Sequence, residues 1–165
     1  MLGHRRRNRD DRGAAAVEFA LVAPILIALF FGIVDYGLLF TDTVSVRQGV
    51  REAARQGVVS KFGTTTSCNT GDSLVRLQCQ TKREIGALIG TPLVKVYAPN
   101  GWVKGKPLVV CAYIPNPGVI KFVPMPNDVR SVVTTSIETE ELPPTGALSV
   151  EDTLPSGSWS SWCVV

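Results

Sequence analysis

From Ala14 to Val34 the chain is apolar almost without interruption. The run AAAVEFALVAPILIALFFGIV carries one charge, Glu18, in 21 residues. A helix needs roughly 20 such residues to cross the hydrocarbon core of a bilayer. A secretory signal has a shorter apolar region followed by a small-residue cleavage site. Here the chain continues DYGLLFTDTVSVRQG, with no A-x-A pattern. The pattern therefore predicts a retained membrane helix, spanning about residues 16–38.

The helical period continues past the apolar run. Leu39, Val46, Val50, Ala53, Ala54 and Gly57 fall on one small, apolar side, and Val44, Gln48, Arg51 and Arg55 on another. Glu52 is spaced to meet Arg55 or Gln56 one turn on. No proline occurs from Ile25 to Thr91, so one helix over 14–59 is expected, roughly 70 Å long. Pro24 removes one backbone hydrogen bond inside it, and Gly32, Gly37 and Gly49 weaken it locally.

KFGTTTSCNTGDS breaks this helix with glycine, threonine and asparagine. SLVRLQCQTKREIGALIG predicts a second helical stretch, with an interruption near Cys79 left open. Leu74, Leu77, Ile85 and Leu88 are its expected core contacts. After Thr91 the pattern changes to extended chain. PLVKVYA, KPLVVCAYI and RSVVTTSIETE read as strands, and Asn100–Gly101 is a hairpin signal. Between the last two lies a proline-rich connection with a short extended piece at 119–123. The tail ELPPTGALSVEDTLPSGSWSSWC reads as irregular. The expected fold is therefore α+β and membrane-anchored. A long N-terminal helix with a single span is followed by a small extracytoplasmic domain. That domain is built on an antiparallel three-stranded sheet covered by the outer half of the helix. The expected divisions are a basic leader at 1–13, the long helix at 14–60 and the outer domain at 61–165.

Charge fixes the expected orientation. Residues 1–13 hold five arginines against two aspartates, and the rest of the chain balances at 12 basic and 12 acidic. A basic patch can mark nucleic-acid binding, but a short arginine cluster directly before an apolar helix is the positive-inside flank of a membrane span. The leader is thus expected in the cytoplasm and the domain outside, with membrane lipid and no nucleic acid as partner. The cysteines agree, since Cys68, Cys79, Cys111 and Cys163 all follow the apolar run. An even number in an exported region suggests disulfides. Of the three pairings, Cys68–Cys79 with Cys111–Cys163 is preferred: one closes a local loop and the other ties the tail to the body. Sequence does not decide between them. Zinc is disfavoured because there is no C-x-x-C pair and the one histidine, His4, precedes the span.

Glu18 is the anomaly. A carboxylate at mid-bilayer costs on the order of 2.5–3.5 kcal/mol. One reading places it at the interface, near the cytoplasmic edge of the span. The other has it seek a charged partner. A cut after Gly13 would make Ala14 an N-terminus whose largely protonated amine could pair with Glu18 of the same or a neighbouring chain. RGAAAVEFALVAPILIALFFGIVDYG resembles the start of the TadE-like family, the minor pilin-like proteins of tight-adherence pilus systems. Gly13 after a basic leader, Glu18 five residues later, Phe19 beside it and the apolar helix with Pro24 carry the resemblance, which extends over roughly 12–59. It implies a prepilin peptidase cut between Gly13 and Ala14, with Glu18 and Phe19 as assembly and recognition residues. It also implies other pilin-like subunits and pilus machinery as partners, and a role in adhesion.

Catalysis is not expected. The exported part has no histidine, and no G-x-S-x-G, Walker A or H-E-x-x-H element occurs. No catalytic residue, cofactor or metal site is assigned. Glu138 and Glu140 read as a charged strand edge, Asp35 with Tyr36 as an interfacial boundary, and Trp102, Trp159 and Trp162 as packing residues. The alternative function is an uncleaved membrane-anchored module that binds a ligand or the envelope.

Overall fold

The structure is a computed structural model that describes residues 10–62, 66–115, 124, 126–139 and 146–164. The first helix, α1, runs unbroken from Asp10 to Val58, 49 residues including Pro24. It ends at Ser60, whose φ of 56° turns the chain back so that Ser60 N–H and Lys61 N–H donate to Gly57 O and Gln56 O. Glu52 meets both residues spaced to reach it: Gln56 donates to it at 2.8 Å, and Arg55 lies 3.8 Å away.

The second helix, α2 at Ser73–Ile85, passes Cys79 without interruption and stops at Gly86, which adopts φ 50°. That stop corrects one core expectation. Leu74, Leu77 and Ile85 are fully buried, but Leu88 lies beyond the helix end and is 63% exposed.

Among the described residues four strands follow: β1 Leu93–Tyr97, β2 Pro107–Pro115, β3 Asp128–Ser136 and β4 Ser149–Glu151. They form one antiparallel sheet in the order β3-β2-β1-β4. The expected three-stranded sheet is therefore wrong by one strand. β4 comes from the tail that reads as irregular, and at three residues it is too short for any alternation to show. Long-range pairing holds it instead: Ala98 N–H donates to Leu148 O, and Asp152 N–H to Val94 O. The extended piece expected at 119–123 lies outside the described residues.

One face of the sheet carries the main core. Val46, Val50, Ala53, Ala54 and Val58 of α1 and Leu74, Leu77 and Ile85 of α2 pack on Val94, Val96, Leu108, Val110, Ala112 and Ile114. The other face, with Val109, Cys111 and Tyr113, is covered by the tail through Trp159 and Cys163. This two-sided cover explains why every residue of β2 from Leu108 to Ile114 is buried. Disulfides join Cys68 to Cys79 and Cys111 to Cys163, the second fixing the tail to the central strand.

Candidate functional site

From Gly13 to Val34, α1 carries only apolar residues and Glu18. Phe19, Leu21, Ile25, Phe30, Ile33 and Phe40 are all exposed. An unbroken exposed apolar surface of this length has no stable home in water. It is the one helix among the described residues long and apolar enough to cross a membrane, and none of its most apolar window is buried inside the chain. The protein is single-pass and membrane-anchored.

Within this half, Gly13 is already helical and exposed, with open space where a Cβ would stand. Ala14 and Glu18 are one helical turn apart, so their side chains share a face. Phe19 stands beside them, 70% exposed. No described residue partners Glu18, and in the uncut chain Ala14 bears no amine. The geometry thus brings Gly13, Ala14, Glu18 and Phe19 onto one stretch of exposed helix.

Where α1 meets the domain, two polar residues behave differently from the sequence reading. Asp35, expected at an interface, is buried within the chain at 1% exposure. Its neighbour Tyr36 stays half exposed and its hydroxyl donates to Pro124 O at 3.4 Å. About two turns further on, Asp42 is fully buried and accepts from Leu88 N–H at 2.8 Å and Ile89 N–H at 3.1 Å. Those amides lie in the chain just past the end of α2, so a carboxylate on α1 clamps the segment that leaves α2. The sequence reading missed Asp42. Its partners lie 46 and 47 positions away, and nothing local marks them.

Asp152 is a second missed residue. Its carboxylate accepts from Lys82 of α2 at 2.7 Å and from Val94 N–H of β1 at 2.8 Å. Its carbonyl accepts from the Trp159 indole at 2.7 Å. Trp159 stacks on Trp162 with ring centroids 5.2 Å apart, so the late tryptophans pack the tail down. Tyr97 adds a hydrogen bond to Cys163 O at 3.0 Å. These contacts are structural and present no reactive group to solvent. Among the described residues no cluster of three or more histidine, cysteine or acidic side chains is placed to hold a metal.

An exposed apolar helix continuous with a disulfide-stapled α+β head defines a membrane-anchored protein. The family model for TadE-like protein matches residues 13–55, the span and the outer turns of α1 that pack on the head. The match is confined to the long helix, about a quarter of the chain; the second helix, the sheet and the tail lie beyond it. No curated protein and no solved structure matches the chain.

Proposed function

We propose that this protein is a pilin-like component in the assembly of a tight-adherence type pilus. Residues 1–13 form a cytoplasmic leader, 14–60 the long helix with its span at about 16–38, and 61–165 the domain outside. A prepilin peptidase removes the leader between Gly13 and Ala14. Because that bond lies inside α1, the first turns must unwind to enter a protease cleft. The freed Ala14 amine then supplies a cation for Glu18, of the same chain or of a neighbouring pilin-like subunit. Phe19 packs beside it. Pairing offsets the penalty of an isolated carboxylate in lipid, so helices associate only when the charges meet. The head contacts other subunits or the export machinery, and the resulting filament serves adhesion.

The observation that carries this reading is the unpartnered Glu18 on an exposed apolar helix. Intact mass and N-terminal sequencing of the native protein, extracted from its own membrane, test it. A chain beginning at Ala14 is expected. A chain beginning at Met1 removes the amine and returns Glu18 to an interfacial role, which favours an anchored binding module. In the same host, Glu18→Ala is expected to abolish filament output while leaving the protein in the membrane. Unchanged filaments would sink the assembly role.

A further inference from the structure

We infer that the open edge of β3 and the arginine face of α1 form a docking site for an extended acidic segment of a partner protein, which adds to the sheet as a fifth strand. The inference does not depend on the pilus reading and requires only that the head be presented outside the membrane.

The edge is available. β3 is terminal in the sheet, and among the described residues nothing pairs with its outer side over nine residues. Its sequence, DVRSVVTTS, contains neither the proline nor the lysine that commonly blunts an edge. Beside it, Arg51, Arg55 and Val58 of α1 and Val133, Thr135 and Glu138 line a groove of about 490 Å³. Thr135 Oγ1, shielded from solvent, has no hydrogen-bond partner among the described residues.

The charge of the groove selects the occupant. Arg47, Arg51 and Arg55 repeat every fourth residue and share one exposed face. Only Arg55 has an acid near it among the described residues, Glu52 at 3.8 Å, and its own side chain is 82% exposed. Glu138 is the single acid lining the groove. At the other end of β3, Arg130 is held by Asp128 at 2.5 Å and lies over Tyr113 and Trp162. Its charge is satisfied, and it leaves the upper arginines as the anion-seeking end. If the span ends near residue 38, Arg51 and Arg55 stand roughly 20–25 Å beyond it along the helix, outside the reach of lipid phosphates.

Strand direction argues against a second copy. Tyr36 touches Pro124 just before β3, and Glu138 N–H donates to Val58 O just after it. β3 therefore climbs away from the membrane alongside α1. A second copy anchored in the same membrane would present its own β3 in parallel, whereas every pairing in this sheet is antiparallel, and its other edge strand, β4, runs in the matching direction but is three residues long against the nine of β3. An added antiparallel strand must descend toward the membrane, as a free segment of another protein can.

The test uses the full chain in nanodiscs of neutral phosphatidylcholine and a fluorescein-labelled peptide of about nine alternating glutamates and valines, the length of the edge. Anisotropy should show binding that weakens at least about tenfold in the Arg51→Glu/Arg55→Glu variant and survives within about threefold in Arg51→Lys/Arg55→Lys. The same peptide N-methylated at alternate residues should fail to bind, because it cannot supply the edge hydrogen bonds. The inference is overturned if the acidic peptide does not bind, or if its lysine counterpart or the N-methylated form binds equally well. It is also overturned if anionic lipid in the disc abolishes peptide binding, which would make lipid the occupant. Disulfide crosslinks between Thr134→Cys copies without peptide would make the occupant a second copy and end the proposal.

Discussion

Replacing Gly49 by alanine sets two effects of opposite sign against each other, and the structure decides between them. Alanine in a helix interior is favoured over glycine by about 0.8–1.0 kcal/mol. Were α1 free at this position, the substitution would stabilise the protein. But a Cβ on Gly49 would stand 2.7 Å from Ile85 Cγ1, 2.9 Å from Ile85 N and 3.0 Å from Ile85 Cα. Two of those atoms are backbone, at the last residue of α2, and the Ile85 side chain is fully buried. The neighbour cannot rotate away, so the helices must separate. Overpacking of this kind costs typically about 1–3 kcal/mol. The net expectation for Gly49→Ala is a loss of up to about 2 kcal/mol after the propensity gain. Gly57→Ala meets terminal methyls, Leu108 Cδ2 at 2.6 Å and Leu77 Cδ2 at 2.8 Å, which can turn; its loss should be smaller. Gly37→Ala meets nothing within 4 Å and should leave the head's stability unchanged. All three tryptophans lie beyond α1, so their fluorescence reports unfolding of the head alone. Urea titration of the full chain in detergent micelles should give the order Gly49→Ala, Gly57→Ala, Gly37→Ala from least to most stable. A Gly49→Ala protein more stable than the parent would refute the close approach of α1 to α2.

Other expectations follow from single contacts. Asp42→Ala removes the buried acceptor of the Leu88 and Ile89 N–H groups and should cost about 3 kcal/mol, while Asp42→Asn, which keeps one carbonyl oxygen, should cost about half as much; equal stabilities for the two variants in the same titration would contradict the clamp. The Cys111–Cys163 bridge closes a loop of 52 positions, for which chain entropy gives about 4 kcal/mol. Cys163→Ser should therefore release the tail, raise hydrogen exchange at Val109 and Tyr113 and quench the Trp159–Trp162 environment. A tail that remains protected without the bridge would mean that Asp152 and the indole packing suffice. Lys82→Met should loosen the tail more modestly, since the pair it breaks with Asp152 is partly solvated and only the Val94 N–H contact remains to the same carboxylate.

What could be read in the sequence, and what could not, follows from the range over which each feature is encoded. α1 is written in period and composition over 49 residues, so a single proline and several glycines could not disguise it. β1 alternates, and β3 alternates on the face that meets the helices. β2 does not, yet its valine-rich run still marks a strand; its unbroken burial depends on a cover that its own sequence does not mention. That cover is the tail, whose prolines, glycines and serines carry no period. Its position is set by Asp152, Trp159 and Cys163, each acting on a partner far along the chain, and the fourth strand forms as a by-product of those contacts. Asp42 is hidden for the same reason, and Leu88 misleads because Gly86 ends the helix that would have carried it inward. Glu18 is the opposite case. It is conspicuous in the sequence because lipid makes a charge expensive, and it has no partner among the described residues. A feature that is locally unfavourable and is not resolved by the chain's own fold points outward, to a contact made between molecules. The same logic applies to the arginines of α1 beside the open edge of β3, where the fold supplies three cations and a ladder of unpaired backbone groups to something that is not part of this chain.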